Sequence, residues 1–191
     1  ALDISAGSAT TLTADLIAAG LLREVTGMTR EAGRGRPPVA LQVVPDAAHV
    51  IGIKLSYNRH TAVLTDFAGN ILADTALPTT QAVHSMPQLM EEIGALIDRI
   101  LAESGKALAD IRAVGIGMPG IVEFDTGTIA WSALLSERDQ NLRAAFATRF
   151  DMPVYIDNDA NMLTLAELWF GEGRQKSDFA VVTIENGVGM G

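Results

Sequence analysis

A change of pattern near Val50 is the feature that most constrains how this chain folds. From there, VIGIKLS, TAVLTDF and ILADTAL read as three strands separated by short turns, the second of which is AGN. A long helix is expected next. Ser85 and Pro87 suit its start, apolar residues recur at helical spacing as far as Leu101, and Gly105 suits its end. Strands followed by a helix predict an α/β layered domain.

The remainder of the sequence continues this alternation. IRAVGIGMP predicts a buried strand, followed by a turn-rich stretch to about Ser136. An amphipathic helix is expected around Leu142 to Phe150, then the strand PVYID, a helix from about Asn158 to Phe170, and FAVVTIE as the last strand.

The first 45 residues form a different unit. SATTLTADLIAA, from Ser8 to Ala19, predicts a helix that Gly20 ends. LLREVT and VALQVV are strand-like and enclose the loop MTREAGRGRPP, so a hairpin with an arginine-rich tip should follow the helix. A helix followed by a hairpin is the second half of a winged helix-turn-helix, and its first half is expected to be missing. We therefore place residues 1–45 in a partial DNA-binding domain with its linker, and residues 46–191 in the α/β domain.

Charge and composition narrow the possible classes of protein. The net charge of −9 argues against a nucleic-acid partner, but residues 1–40 carry four arginines and four acidic residues, so the whole deficit lies after residue 40. The chain has no cysteine, which excludes disulfides and thiolate metal sites. No membrane span or signal peptide is recognisable, so a cytoplasmic protein is expected.

Four stretches of the sequence stand out, namely GRGRPPVALQV, VIGIKLSYNRHTAVLTDFAGNIL, VGIGMPGIVEFDTGTI, and VYIDNDANMLTLAELWFGEG with VVTIENGVGMG. Together, and in this order, they resemble the ROK family (repressors, open reading frames and sugar kinases). The chain resembles this family over nearly its whole length. The resemblance implies a partial winged helix-turn-helix followed by an actin-like, ribonuclease-H-like sugar kinase lobe, with most of the second lobe missing.

The resemblance also implies a disabled nucleotide site. Kinases of the family begin the first hairpin with an aspartate and a glycine-rich turn that approaches the ATP phosphates. Lys54 stands where that aspartate is expected, and the turn residues that follow are Ser56, Tyr57 and Asn58. A lysine ammonium has no lone pair for magnesium, and tyrosine cannot allow the close backbone approach that glycine does. Lys54 is otherwise read as a strand residue that faces solvent.

The second phosphate loop of the family keeps its glycines, at Gly187, Gly189 and Gly191, although a glycine-rich turn would give the same pattern. No complete nucleotide site is expected, and no cofactor is assigned to the chain.

The sugar side of the family site is better preserved. Asp159 matches the kinase general base, and Asn158 matches a residue that hydrogen-bonds the sugar. Gly117, Pro119 and Gly120 match the loop that lines the sugar pocket. The structural alternatives are an N-cap role for Asn158, with Asp159 complementing the helix dipole, and an ordinary strand-ending turn for the glycines.

Two features suggest contact with DNA. The predicted helix aligns with the recognition helix of the family and carries short hydroxyl side chains that reach phosphates or base edges, at Ser8, Thr10, Thr11 and Thr13. Arg34 and Arg36 lie in GRGRP, which resembles the core of an AT-hook, a minor-groove binding motif. A solvated threonine-rich face and a flexible basic linker are the alternatives.

The three histidines, His49, His60 and His84, show no metal-ligand spacing, so no metal is assigned. The family's zinc motif would lie downstream of Gly191. The function expected is a sugar-responsive repressor, a non-enzymatic homodimer or homotetramer that binds operator DNA and a sugar or sugar phosphate. The alternatives are an ATP-dependent sugar kinase and a sugar-binding module whose front end contacts protein.

Overall fold

The computed structural model describes residues 5–25 and 39–191. Its front portion consists of helix α1 (Ala6–Ala18) and strands β1 (Leu22–Val25) and β2 (Ala40–Val43), which pair antiparallel. The N-cap of α1 is Ser5, whose Oγ accepts a hydrogen bond from the Ser8 backbone N–H (3.1 Å). The helix therefore starts earlier than the expected Ser8. The predicted arginine-rich tip, with Arg34 and Arg36, lies outside the described residues.

The α/β domain follows in alternating order. Its strands are β3 (His49–Lys54), β4 (Arg59–Asp66), β5 (Ile71–Pro78), β6 (Ile111–Met118), β7 (Ile121–Glu123), β8 (Thr128–Trp131), β9 (Gln140–Asn141), β10 (Val154–Asn158), β11 (Val182–Ile184) and β12 (Val188–Met190). Its α-helices are α2 (Met86–Ser104), α3 (Leu142–Ala147) and α4 (Asp159–Phe170), with short 3-10 turns at Pro45–Ala47, Leu108–Asp110 and Glu172–Gln175. None of the described helices combines the length and the apolar character that a membrane crossing requires.

A five-stranded sheet organises this domain. Its strand order is β10-β6-β3-β4-β5; β3, β6 and β10 run parallel, and β4 and β5 are antiparallel to their neighbours. Antiparallel hairpins followed by parallel crossover strands give the α/β architecture expected from the sequence. The AGN turn between β4 and β5 is held by Asp66, whose carboxylate accepts from the backbone N–H groups of Ala68 and Asn70 (both 2.9 Å).

The core lies between the sheet and α2. Ser85 is the N-cap of α2, and Gln88 accepts a hydrogen bond from its backbone N–H (2.8 Å). Gly105 ends the helix with φ 68°, a left-handed conformation that glycine adopts without strain. The apolar stripe of α2 is fully buried against the sheet, as its spacing predicts; its members are Leu89, Ile93, Leu96, Ile97 and Ile100.

The region between β6 and α3 differs from expectation. The turn-rich stretch holds a small antiparallel sheet in the order β7-β8-β9. These strands have two to four residues, too few to show the alternation by which strands are recognised in a sequence. A further strand, β12, follows the predicted last strand and pairs with it.

We expect Leu96→Ala to lower the free energy of unfolding by about 2–5 kcal/mol, because it leaves a cavity in a close-packed core. Leu108→Ala, at a position 39% exposed, serves as the matched control and should cost well under half as much. Chemical denaturation of the two variants measures the difference, and equal losses would contradict the assignment of α2 to the core.

Candidate functional site

The parallel strands bring polar residues to one edge of the sheet. The register pairs Lys54 of β3 with Gly117 of β6, and Asn158 of β10 with Met118 of β6. The carboxyl ends of all three strands therefore meet at this edge, where open α/β sheets generally bind their ligands.

A cavity of about 350 Å³ opens at this edge. It lies near the lower end of the volumes typical of small-molecule sites. Polar and glycine-containing loops supply its walls, together with two aromatic residues; the lining residues are Ser56, Tyr57, Pro119, Gly120, Trp131, Asn158, Asp159, Thr183, Glu185, Asn186, Gly187, Val188 and Gly189. Four of the five residues expected on the sugar side thus lie together, at Pro119, Gly120, Asn158 and Asp159.

Asn158 has a structural role at this site. Its Nδ2 donates to the Gly120 carbonyl (2.8 Å), and its Oδ1 accepts from the Ala160 N–H (2.8 Å), which makes it the N-cap of α4. One amide hydrogen and one lone pair remain for a ligand. Asn158 therefore joins the Gly120 loop to the start of α4 directly beside the cavity.

Asp159 presents the principal acceptor of the cavity. Its carboxylate accepts only from the adjacent Ala160 N–H (3.1 Å), and in the described part of the chain no lysine or arginine pairs with it. Its position at the first residue of α4 places the negative charge beside the positive end of the helix dipole. A partly buried, unpaired carboxylate suits recognition of hydroxyl groups.

Gly120 is required by the geometry of the loop. Its φ is 138°, and a Cβ there would lie 2.2 Å from the Trp131 carbonyl oxygen. Trp131 itself is 42% exposed and lines the cavity. The sequence analysis did not identify Trp131, because its strand was hidden in the turn-rich stretch.

Gly117 lies beside a second cavity. It lines a space of about 590 Å³ on the opposite face of the sheet from α2, between the strands and α4. Asp159 borders both cavities. The Gly117 carbonyl accepts the Leu55 N–H (2.9 Å), so this residue joins β6 to the end of β3.

Lys54 is engaged by an ion pair. Its Nζ contacts the carboxylate of Glu185, which follows β11, so the end of the first hairpin is linked to the second. The side chains are 42% and 57% exposed, and a pair so exposed contributes little to stability. Lys54 is thus not a simple solvent-facing residue, and Glu185 was not recognised in the sequence because it lies 131 positions away.

The turn after Lys54 is ordered by its own hydrogen bonds. The Ser56 hydroxyl donates to the Arg59 carbonyl (2.6 Å), and the Thr79 hydroxyl donates to the Tyr57 carbonyl (3.0 Å). Tyr57 packs against the hydrophobic core as well as lining the cavity. Tyr57 therefore places a large side chain between this turn and the core, beside the cavity.

The three glycines of the second loop have different environments. Gly187 and Gly189 line the smaller cavity, whereas Gly191 does not. A Cβ at Gly189 would lie 2.7 Å from Thr183 Oγ1, and one at Gly191 would lie 2.7 Å from the Ala160 carbonyl oxygen. The N–H of Gly191 is already donated to Val181. Gly191 is therefore explained by the close approach of β12 to α4.

The four hydroxyl residues of α1 that were predicted to contact DNA differ in their exposure. Ser8, Thr10 and Thr11 are exposed on α1, and Thr13 is half-buried. The Thr11 hydroxyl donates to the Gly7 carbonyl (3.2 Å) of its own helix, and the Ser8 hydroxyl contacts that of Ser5 (3.0 Å). Ser8 and Thr11, three positions apart, thus lie on one side of α1, whereas Thr10, two positions after Ser8, lies on nearly the opposite side.

Two of the three histidines, expected to be scattered, lie together behind the smaller cavity. Nε2 of His60 lies 2.9 Å from Oε2 of Glu92, and Nε2 of His84 lies 3.2 Å from Oε1 of the same carboxylate. Both rings are buried, and these ligand atoms all lie within 4.8 Å of one another. We call these three residues the His–Glu–His cluster. His49 is separate, at the other end of β3.

Burial and hydrogen bonding determine the charges in this cluster. Burial lowers the pKa of His60 below its ordinary value, although the neighbouring Glu92 opposes that shift. For Glu92, burial alone would raise the pKa, but hydrogen bonds from Thr80 and the proximity of His84 outweigh burial and hold the pKa below its usual range. Glu92 is therefore an anion at neutral pH, and His60 is neutral.

These features together define an α/β domain with a polar site at the carboxyl edge of its sheet. Residues 50–191 match the ROK family, and the chain belongs to that family.

The proteins that this chain resembles include transcriptional regulators and a sugar kinase. The chain is 32% identical over 189 residues to a xylose repressor of Caldicellulosiruptor bescii, covering 99% of this chain and 47% of the relative. In structure it is similar to a ROK family transcriptional regulator, a homologue of the E. coli MLC protein (TM-score 0.76, 22% identity, 99% of this chain, 47% of the other). It is also similar to a ROK family glucokinase from Streptomyces griseus in complex with glucose and AMPPNP (TM-score 0.66, 26% identity, 75% and 43%). The chain spans about half the length of the curated relatives it matches.

We expect Gly120→Ala to lower the free energy of unfolding by roughly 1–3 kcal/mol, because the added methyl group meets backbone and φ is unfavourable. Gly115→Ala is the matched control: a Cβ there meets nothing within 4 Å, so a change within about 1 kcal/mol is expected. Thermal or chemical denaturation compares the two, and a harmless Gly120→Ala would contradict the close loop geometry.

Proposed function

We propose that this chain is part of a sugar-responsive transcriptional repressor whose α/β domain binds a sugar effector without phosphorylating it. The observation that carries the proposal is the Lys54–Glu185 ion pair beside an intact polar cavity. By the family resemblance, this ion pair lies at the position where the kinases bind the phosphates of ATP. Asp159 and the Gly120 loop, in contrast, match residues that bind the hydroxyl groups of the sugar. The match to a xylose repressor over 99% of the chain agrees with this.

Two properties of the nucleotide side argue against a kinase. An ammonium group cannot coordinate the magnesium that phosphoryl transfer needs, and Tyr57 fills the turn where phosphates would approach the backbone. Asp159 keeps the residue type of a general base, but with no phosphoryl donor it serves as a hydrogen-bond acceptor for the sugar. The kinase remains the alternative, supported by Asp159 and by the likeness to the glucokinase.

The charges around the cavity favour an uncharged sugar. Among its described lining residues the charged ones are Asp159 and Glu185, both acidic, and the nearby ammonium of Lys54 is already paired with Glu185. A phosphate group would bring negative charge towards an uncompensated carboxylate. Hydroxyl groups would instead donate to Asp159, and the exposed ring of Trp131 offers an apolar surface to a sugar face. We therefore expect the free sugar to bind more tightly than its phosphate ester.

The front of the chain supplies the proposed contact with DNA. Helix α1 followed by the β1–β2 hairpin agrees with the last part of a winged helix-turn-helix, with α1 as recognition helix. Arg34 and Arg36 are proposed to enter a narrow A·T minor groove, where negative potential is strongest. A sugar alters operator binding only if it binds two conformations with different affinities. A homodimer or homotetramer is proposed, because operators are usually read by symmetric pairs.

The test is calorimetric titration of the full-length protein with neutral monosaccharides and their phosphate esters, with and without ATP and magnesium. We expect one neutral sugar to bind, its phosphate ester to bind at least tenfold more weakly, and ATP to give no heat. Asp159→Asn should weaken sugar binding roughly tenfold, because it removes a charged hydrogen-bond acceptor. ATP binding with sugar turnover would overturn the proposal in favour of the kinase.

The DNA contact has a separate test in fluorescence anisotropy with an A·T-rich duplex. Replacing both Arg34 and Arg36 by alanine should weaken binding and reduce its salt dependence, since each arginine neutralises a phosphate charge. The matched control is Arg138→Ala together with Arg174→Ala, both in the α/β domain. Unchanged binding in the first variant would favour the third alternative, a sugar-binding module whose front end contacts protein.

A further inference from the structure

We propose that the His–Glu–His cluster positions two walls of the cavity and so sets its affinity for the sugar, although none of its three residues lines the cavity. This inference rests on the proposed function for the nature of the ligand. His60, His84 and Glu92 are positioning residues, because each would act on the ligand through backbone that it holds.

The first wall is the turn after β3. The Ser56 backbone N–H donates to Nδ1 of His60 (3.1 Å), and Ser56 and Tyr57 both line the cavity. On its other side, the ring presents Nε2 to Glu92. His60 Nε2 and Glu92 Oε2 are 2.9 Å apart but make no hydrogen bond, so the Ser56 N–H is the hydrogen bond that orients the ring, and Glu92 acts on the ring through proximity and charge.

The second wall is the Pro119–Gly120 loop after β6, which the segment after β8 supports. The Leu134 carbonyl accepts the His84 backbone N–H (2.8 Å) and also lies 3.3 Å from Nδ1 of the same ring. The Leu134 N–H in turn donates to Ser132 Oγ (3.2 Å), whose own hydroxyl donates to the carbonyl of Pro119 (2.6 Å). Pro119 lines the cavity, so His84 reaches this wall through three successive hydrogen bonds.

Glu92 joins the two walls. Its Oε1 accepts the Thr80 backbone N–H (2.9 Å) and the Thr80 hydroxyl, so the carboxylate is held in one orientation. Its side chain is 11% exposed, and the two rings are fully enclosed at 1% and 0%. Well-ordered supporting groups of this kind are what hold a binding site within a fraction of an ångström of its productive geometry.

A bound metal ion would require a different proton arrangement. His60 accepts a hydrogen bond at Nδ1, so in the neutral ring the proton sits on Nε2, and no lone pair remains there to coordinate a cation. A metal-bound histidine generally shows the opposite pattern, with the second nitrogen donating. At His60 the hydrogen-bond direction thus favours a proton on Nε2 over a metal ligand. At His84, Nδ1 faces the Leu134 carbonyl (3.3 Å), so a neutral ring that donates there carries its lone pair on Nε2.

The same arrangement predicts a dependence on pH. The titratable groups that face His60 in the described structure are Glu92 from α2 and His84 from the segment before it. Protonation of His60 places hydrogen on Nδ1, which then cannot accept from Ser56. Since the pKa of His60 is lowered, its neutral form stabilises the fold fully above about pH 6.5, and that contribution is lost as the pH falls from there towards the lowered value.

Two replacements of His60 separate positioning from general stability. His60→Asn keeps an acceptor near the position of Nδ1, whereas His60→Gln places its amide farther out, near Nε2, and leaves the Ser56 N–H without a partner. We expect His60→Gln to weaken sugar binding roughly tenfold and His60→Asn to remain within about threefold of the unmodified protein. Titration calorimetry of the full-length protein measures both, with denaturation midpoints recorded in parallel.

Two further variants accompany those of His60: His49→Gln is a control outside the cluster, and Glu92→Gln changes its central carboxylate. His49 is a buried histidine at the far end of β3, about 16 Å from Lys54 along the strand, so its replacement should lower stability without changing the affinity for sugar. Glu92→Gln should weaken binding as His60→Gln does. Affinity in the unmodified protein should also fall as the pH is lowered towards the depressed pKa of His60, and this fall should be absent in His60→Asn.

These experiments distinguish a failure of the positioning role from a failure of the proposed function. If the unmodified protein binds no sugar, the proposed function fails. If it binds sugar and the variants at His60 and Glu92 retain its affinity, the positioning role fails alone. One equivalent of zinc that co-purifies with the protein and is lost in His84→Ala would also overturn the proposal, in favour of a metal site.

Discussion

Parallel pairing of β6 with both β3 and β10 is the constraint on which the rest of this domain depends. The crossover helices must return each chain segment to the same side before the next strand starts, so all three carboxyl ends fall on one edge. That edge collects Lys54, the Pro119–Gly120 loop and the Asn158–Asp159 pair. A slip of one residue in register would turn these side chains to the other face and dismantle the site.

The polar groups at the carboxyl edge of the sheet are suited to binding hydroxyl groups. The groups suited to hydroxyls remain, with Asp159 unpaired and Asn158 holding the Gly120 loop. The Lys54–Glu185 pair lies beside these groups, and its exposure makes it a weak contributor to stability. The pair links the end of β3 to the residue that follows β11 and leaves Asp159 as the unpaired charge of the cavity.

Buried polar groups give the cavity a rigid support. The His–Glu–His cluster lies between α2 and the two walls, and its members are enclosed by the core. Both Thr80 donors bind Oε1 of Glu92, while Oε2 lies 2.9 Å from His60 Nε2 without making a hydrogen bond. The contacts that reach the cavity walls come from the other side of each ring, where His60 Nδ1 accepts the Ser56 N–H and His84 Nδ1 lies 3.3 Å from the Leu134 carbonyl. The residues of the His–Glu–His cluster thus belong to the buried interior of the domain and also contact the segments that support the cavity.

The sequence by itself determined the local elements and half of the site. Ser85 and Gly105 delimit α2, because caps and turns act between neighbours in the chain. Through the family resemblance, GMPG and NDAN predicted residues of which Pro119, Gly120, Asn158 and Asp159 line one cavity. The strands β7–β9 are too short to show a periodic pattern in the sequence. Trp131, which ends β8, was therefore not recognised as a site residue. Only the tertiary structure paired Lys54 with Glu185, and His60 and His84 with Glu92, since those meetings depend on sheet register and on how α2 packs. The sequence places such residues far apart, and no local rule brings them together.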